Sequence, residues 1–137
     1  MVKITGEYQD ELHCTARHEP SGDTLATDAP KDNLGRGEAF SPTDLVATAF
    51  ATCVATTMAI AARKNGVRLG HFRYEVTKEM SADAPRRITR LTLQVWLPAS
   101  AKLLDREILE RAANGCPVHR SLAPEVEKLI TFHEPAT

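Results

Sequence analysis

Two cysteines stand where their surroundings allow thiol chemistry. Cys53 lies within a run from Leu45 to Ala62 that holds no charged residue, and Cys116 opens the segment Cys116-Pro117-Val118-His119-Arg120-Ser121-Leu122. The thiolate is the reactive form of cysteine, so what matters at each position is which form the surroundings favour. Cys116 reads as the N-cap of a short helix with Pro117 in the first turn. That places its sulfur near unpaired N–H groups at the positive helix end, which favours thiolate. Apolar surroundings act the other way on Cys53. To be a nucleophile it needs a cation delivered from outside its own helix, because none lies within a turn of it.

Arg36 is the candidate for that cation. It lies in Gly35-Arg36-Gly37, just ahead of the apolar run, with Glu38 or Asp44 available to hold its guanidinium. Arg17 is the alternative donor, and Arg120 follows Cys116 by one turn. His119 reads as either a base or a surface group. Cys14 falls on an expected strand and reads as structural. Each residue also has a plainer role: free cysteine is often core packing, and a loop arginine is often only solvated.

A metal site finds little support. Cys116-X-X-His119 offers two zinc ligands, but His13, His18, His71 and His133 are distant in sequence and no second closely spaced pair exists. No phosphate-binding loop, nucleophilic-serine elbow or dinucleotide fingerprint is present. No cofactor is expected.

The elements that must position these residues follow from pattern. Val2 to Tyr8 and Leu12 to His18 flank Gln9-Asp10-Glu11 as a hairpin, and Ser21-Gly22-Asp23 turns into a short strand at Thr24 to Thr27. Asp28 to Glu38 is a polar loop rich in turn formers, long enough to suggest a role beyond connection. Ser41-Pro42-Thr43-Asp44 starts a helix by capping-box spacing, and Asn65-Gly66 stops it after Arg63 and Lys64. Two strands follow, one alternating through Phe72, Tyr74 and Val76 and one through Ile88, Leu91, Leu93, Val95 and Leu97. They are expected to pair antiparallel. Ser100 should cap a helix ending at Asn114-Gly115, Cys116 the next, and Val126 to Phe132 returns as a strand. The class is α+β, and 137 residues make a single domain over 1–137.

Composition narrows the function further. With 17 basic and 18 acidic residues, net −1, neither nucleic acid nor an anionic membrane surface is an expected partner. The run from Leu45 to Ala62 approaches membrane-span length. Its alanines and threonines contribute little transfer free energy, however, and its flanks lack an aromatic belt. A helix apolar all round is wrapped by other elements, often a partner subunit, so a homodimer is expected. Three cysteines do not make a secreted disulfide scaffold, and Met1 to Gly6 lacks the apolar core of a signal peptide. A cytoplasmic location is expected.

Ser41-Pro42-Thr43-Asp44-Leu45-Val46-Ala47-Thr48-Ala49-Phe50-Ala51-Thr52-Cys53, with Cys116-Pro117-Val118 much later, resembles the osmotically inducible protein C and organic hydroperoxide resistance family (OsmC/Ohr). The resemblance extends over essentially the whole chain. It implies an intertwined homodimer, with antiparallel sheets around a long central cysteine-bearing helix and active sites at the subunit interface. It also implies that Cys53 is the peroxidatic thiolate and Cys116 the resolving thiol near the rim, which reverses the ranking from local electrostatics. The family activates its first cysteine with an arginine and a carboxylate. Here the chain departs from the pattern: Thr43 stands where organic hydroperoxide enzymes typically have Glu. Arg36, Glu38 and Asp44 are then substitutes by proximity. The implied activity is thiol-dependent hydroperoxide reduction, with a peroxide substrate, an external dithiol reductant and no metal, flavin or haem. The rival is a non-catalytic member that binds a small hydrophobic ligand or senses redox state.

Overall fold

The computed structural model describes residues 1–135 and divides them into two compact units, parting after Val46. The first unit is a three-stranded antiparallel meander of β1 (Ile4–Tyr8), β2 (His13–His18) and β3 (Thr24–Asp28), in the order β1-β2-β3. Cys14 pairs with Tyr8 on one side and Thr27 on the other, as expected of a strand residue. The hairpin turn is tighter than its polar composition suggests, since Asp10, Glu11 and Leu12 all take positive φ. β3 runs one residue beyond its expected end, to Asp28.

The loop after β3 is folded on itself. A 3₁₀ turn at Lys31–Asn33 is followed by hydrogen bonds from Gly35 N–H to the Pro30 carbonyl and from Gly37 N–H to the Ala29 carbonyl. A Cβ on Gly35 would overlap the Ala29 carbonyl, and Gly37 sits at φ +62°. These glycines permit a close turn of the backbone rather than a flexible one.

α1 (Pro42–Lys64) starts as its sequence predicts. The Asp44 N–H donates to Ser41 Oγ at 3.0 Å and the Ser41 N–H donates to Asp44 Oδ2 at 2.9 Å, a reciprocal capping box. Twenty-three residues give a rod of about 35 Å.

In the second unit β4 (Arg73–Met80) pairs antiparallel with β5 (Ile88–Trp96), as expected, and β6 (Glu127–His133) pairs with β5 in parallel. Between β5 and β6 lie α2 (Arg106–Asn114) and α3 (Pro117–Ser121). The helix predicted from Ser100 begins later. Ala99–Leu103 forms a 3₁₀ turn, Leu104 is extended, and Asp105 caps α2 through the Glu107 N–H. Ser100 Oγ instead donates to the Leu69 carbonyl at 2.7 Å.

Alternation on β5 sends Leu91, Leu93 and Val95 into the core, where they meet Phe50, Val54 and Met58 of α1 and Leu109 and Ala113 of α2. At roughly 25 cal/mol per Å² of apolar surface, each of the larger side chains contributes about 1.5–3 kcal/mol by burial. α1 is not covered all round. Its core stripe is Ala47, Phe50, Ala51, Val54, Met58 and Ala62, whereas Ala49, Thr52, Thr56 and Ile60 are exposed, Ile60 by 48%. The sheets and long helix give the α+β architecture read from the sequence.

Candidate active site

Cys53 sits at the border of the exposed face of α1. Its neighbours one helical turn away, Ala49, Thr56 and Thr57, share that side. The thiol is half-buried and lines a groove of ≈ 460 Å³ together with Ala49, Thr52, Thr56, Thr57, Ile60, Pro117 and Val118. None of these lining side chains carries a charge. A thiol here meets a surface of methyl groups and hydroxyls.

Cys116 lies behind it, fully buried. As N-cap of α3 its sulfur accepts the His119 N–H at 3.3 Å, the contact expected from Cys-Pro at a helix start. The electrostatic consequence is opposite to the one that this position suggests. Burial pushes the Cys116 thiol up, and the neighbouring Cys53 sulfur and its charge push it the same way, against the N–H groups of His119 and Val118. Desolvation outweighs the short helix, so Cys116 is held as a thiol. The expected placement is therefore inverted as well. Cys53 faces the groove, and Cys116, expected near a rim, is the core residue.

His119 is neither a free surface group nor paired with a second ring nitrogen ligand. It is half-buried, its ring packs on Phe50 with centroids 5.8 Å apart, and burial, then Lys128, holds it below the usual histidine range. It is neutral at pH 7. Three of the other four candidate histidines are engaged elsewhere: His13 with Asp28, His18 with Ser21, and His133 with Gln94 while stacked on Trp96.

In the first unit, Arg36 is held by a carboxylate that the sequence pattern does not single out. Its Nη2 lies 3.5 Å from Asp28 Oδ1. Asp28 is only 2% exposed and also takes His13 Nδ1 at 2.6 Å and the Glu38 N–H at 3.1 Å. The hydrogen bond from His13 is the largest influence holding the Asp28 carboxyl below its ordinary value; burial opposes it, and Arg36 assists. Glu38 thus contributes its backbone to Asp28, and the Asp44 carboxylate closes the α1 cap. The acid beside Arg36 is Asp28 rather than the carboxylates of Glu38 or Asp44. Arg17 pairs with Glu19 at 3.7 Å and donates to the Gly22 carbonyl.

Three residues in these contacts are given no role in thiol chemistry by the sequence, where His13 is named only as a distant metal ligand. The pattern places Asp28 in the loop, although an acid closing a strand beside Gly-Arg-Gly is a usable signal. His13 is legible only through its pairing opposite Asp28 across β2 and β3. Thr57, one turn after Cys53, is readable from helical spacing alone; its Oγ1 lies 4.0 Å from Cys53 Sγ.

The arrangement can carry two-electron sulfur chemistry. An oxidant reaching the groove meets Cys53 first, and a thiol kept protonated by burial lies close behind it.

Comparison with known proteins agrees with this geometry. A family model described as OsmC-like protein matches residues 35–128, from the Gly-Arg-Gly loop into β6. A solved structure from Psychrobacter arcticus 273-4, named for osmotic stress induction and a detoxification response, is 38% identical, with 97% of this chain and 96% of that chain covered and a TM-score of 0.88. The organic hydroperoxide resistance protein OsmC of Legionella pneumophila is 14% identical, with 96% of each chain covered and a TM-score of 0.77. The organic hydroperoxide resistance protein OhrB of Bacillus subtilis is 17% identical, with 97% and 98% covered and a TM-score of 0.71. At such identities the last two establish a shared fold. No curated protein matches the sequence.

Proposed function

The chain belongs to the OsmC-like protein family, and from that premise we propose that it is a thiol-dependent hydroperoxide reductase acting through Cys53 and Cys116. The observation that carries the reading is the asymmetry of the pair: one thiol open to an uncharged groove, the other buried close to it and held protonated.

The Cys53 thiolate attacks the terminal peroxide oxygen, and two electrons pass from sulfur into the O–O bond. The S–O bond forms as the O–O bond breaks, leaving Cys53 sulfenic acid and an alkoxide that takes a proton to become the alcohol. Cys116 then attacks the sulfenic sulfur; the S–S bond forms, and the hydroxyl leaves with the Cys116 proton as water. An external dithiol reduces the disulfide and is itself oxidised to a disulfide. No step calls for a metal, flavin or haem. A groove lined by methyl groups favours an organic hydroperoxide whose alkyl group displaces water. Arg36, held by Asp28, serves in this reading as the cation that favours the Cys53 thiolate.

The reading includes a homodimer, supported by the exposed stripe Ala49, Thr52, Thr56 and Ile60 on a helix otherwise given to the core. A cytoplasmic, reducing setting would keep the thiols ready. The uncharged groove equally favours a second reading, retention of a small apolar ligand with the cysteines as packing. Thiol titration after one equivalent of tert-butyl hydroperoxide separates the two. Loss of two thiols with release of one equivalent of alcohol is expected; no loss of thiols, with the peroxide intact, overturns the reductase.

A further inference from the structure

We infer that Thr57 is a catalytic residue of this site, whose hydroxyl donates a hydrogen bond to the Cys53 thiolate and holds the sulfur toward the groove. The inference rests on the reductase reading for its consequence, but not for its geometry.

A threonine inside a helix ordinarily returns its hydroxyl to the carbonyl three or four residues back. Thr52 does so, donating to the Thr48 carbonyl at 2.8 Å and reaching the Ala49 carbonyl at 3.3 Å. Thr57 does not. Its Oγ1 faces Cys53 Sγ at 4.0 Å, and among the described residues its hydroxyl has no other hydrogen-bond partner. Positions 53 and 57 are successive on one helix face, so the contact is imposed by α1 itself and needs no loop to close.

Charge decides the direction of the bond. A hydroxyl can donate or accept, whereas a thiolate can only accept. Once Cys53 is ionised, Thr57 must be the donor. The present separation is long, at the outer limit for a bond to sulfur, and hydrogen bonds in resting sites tighten as charge develops. The setting makes this donor count. Every side chain lining the groove is uncharged, Thr52 is already committed to the backbone, and Cys116 offers only a weak S–H donor from behind. A hydroxyl in such surroundings is worth more than one in water, because little solvent competes for the sulfur. The same hydroxyl lies beside the point where the peroxide oxygen must approach, so it can also meet the charge that moves from sulfur to oxygen.

The test is the pH profile of iodoacetamide reaction at Cys53 in a Cys14→Ser, Cys116→Ala background, which removes the other thiols. Thr57→Val keeps the shape and deletes the donor; Thr57→Ser keeps the donor and deletes the methyl. With Thr57→Val the midpoint should move up by about half to one pH unit, slowing alkylation near pH 7 by about three- to tenfold. Thr57→Ser should stay close to the parent. A Thr57→Val profile that superimposes on the parent overturns the inference, as does a Thr57→Ser profile shifted as far as that of Thr57→Val, which would assign the effect to packing. Matched melting curves establish that the variants compared are folded. Treating the same proteins with tert-butyl hydroperoxide and a sulfenic-acid trap separates the two claims. If the parent gives no adduct while the alkylation profile still moves, the reductase reading falls and Thr57 keeps its role as donor.

Discussion

Cys116 lies fully buried behind Cys53, near enough for the charge of Cys53 to raise its thiol, and only Cys53 is open to the groove. A thiol kept protonated by burial is a poor first nucleophile and a well-placed second one, because it becomes useful only when an electrophilic sulfur forms beside it. The order of events in the proposed reaction is thus set by which sulfur solvent and substrate can reach.

Cys53→Ser should accordingly abolish peroxide turnover, whereas Cys116→Ser should leave a single round of reduction. A sulfenic-acid trap followed by peptide mapping should label residue 53 in the Cys116→Ser protein. Label at Cys116 in the Cys53→Ser protein would invert the roles.

Asp28 gathers His13, Arg36 and the Glu38 N–H, and its folded pKa lies below its ordinary value of 3.8, chiefly through the His13 hydrogen bond. A carboxyl with a depressed folded pKa binds fewer protons folded than unfolded. Its contribution to stability is complete above the unfolded value and is lost as pH falls from there through the lower folded one. Asp28→Asn should therefore lower the melting temperature at pH 7 and flatten its decline below pH 4. Parent and variant melting curves that run parallel from pH 7 to pH 3 would show that Asp28 contributes nothing to this pH dependence.

Much of this fold is legible in the sequence because its signals are local. Ser41, Pro42 and Asp44 mark the α1 start, Asn65-Gly66 its end, and alternation through Leu91, Leu93 and Val95 the buried side of β5. The helix predicted from Ser100 is displaced because the Ser100 hydroxyl is used by the Leu69 carbonyl, a partner 31 residues away. The site divides the same way. Cys53 and Cys116 are visible as residue types in context, and the Cys116 cap follows from Cys-Pro. The protonation state of Cys116 depends on burial by distant elements and so runs against the local expectation. Asp28 is hidden for a similar reason, since its partners come from β2 and from the loop after β3.

The exposed stripe on α1 bears on assembly. Ala49, Thr52, Thr56 and Ile60 present small and apolar groups over about three turns, and Ile60 is 48% exposed. If a second copy covers this stripe, the protein sediments as a dimer at micromolar concentration and its melting temperature falls on dilution. Ile60→Glu should then shift it toward monomer, because the buried carboxylate would lack a partner. A parent that sediments as a monomer, with a melting temperature independent of concentration, contradicts the dimer.

The remaining prediction concerns Arg36. The groove lining supplies hydroxyls but no positive charge, so a thiolate at Cys53 needs a cation from outside the groove lining. Arg36 is held in a way that suits this role, because Asp28 takes its guanidinium and the close turns at Gly35 and Gly37 give the loop a defined path. Arg36→Ala should move the pH profile of Cys53 alkylation upward, slowing reaction at pH 7 by about three- to tenfold. Arg36→Lys should restore only part of the rate, because an ammonium group cannot present one planar fork to both a carboxylate and a sulfur. Asp28→Asn should fall between parent and Arg36→Ala, since it frees the guanidinium without removing it. The measurement is iodoacetamide reaction in a Cys14→Ser, Cys116→Ser background, which leaves Cys53 as the reporter. An unshifted Arg36→Ala profile would pass the role to Arg17, now paired with Glu19. If replacing Arg17 also leaves the profile unchanged, the reductase loses its activating cation and ligand retention in the groove becomes the better account.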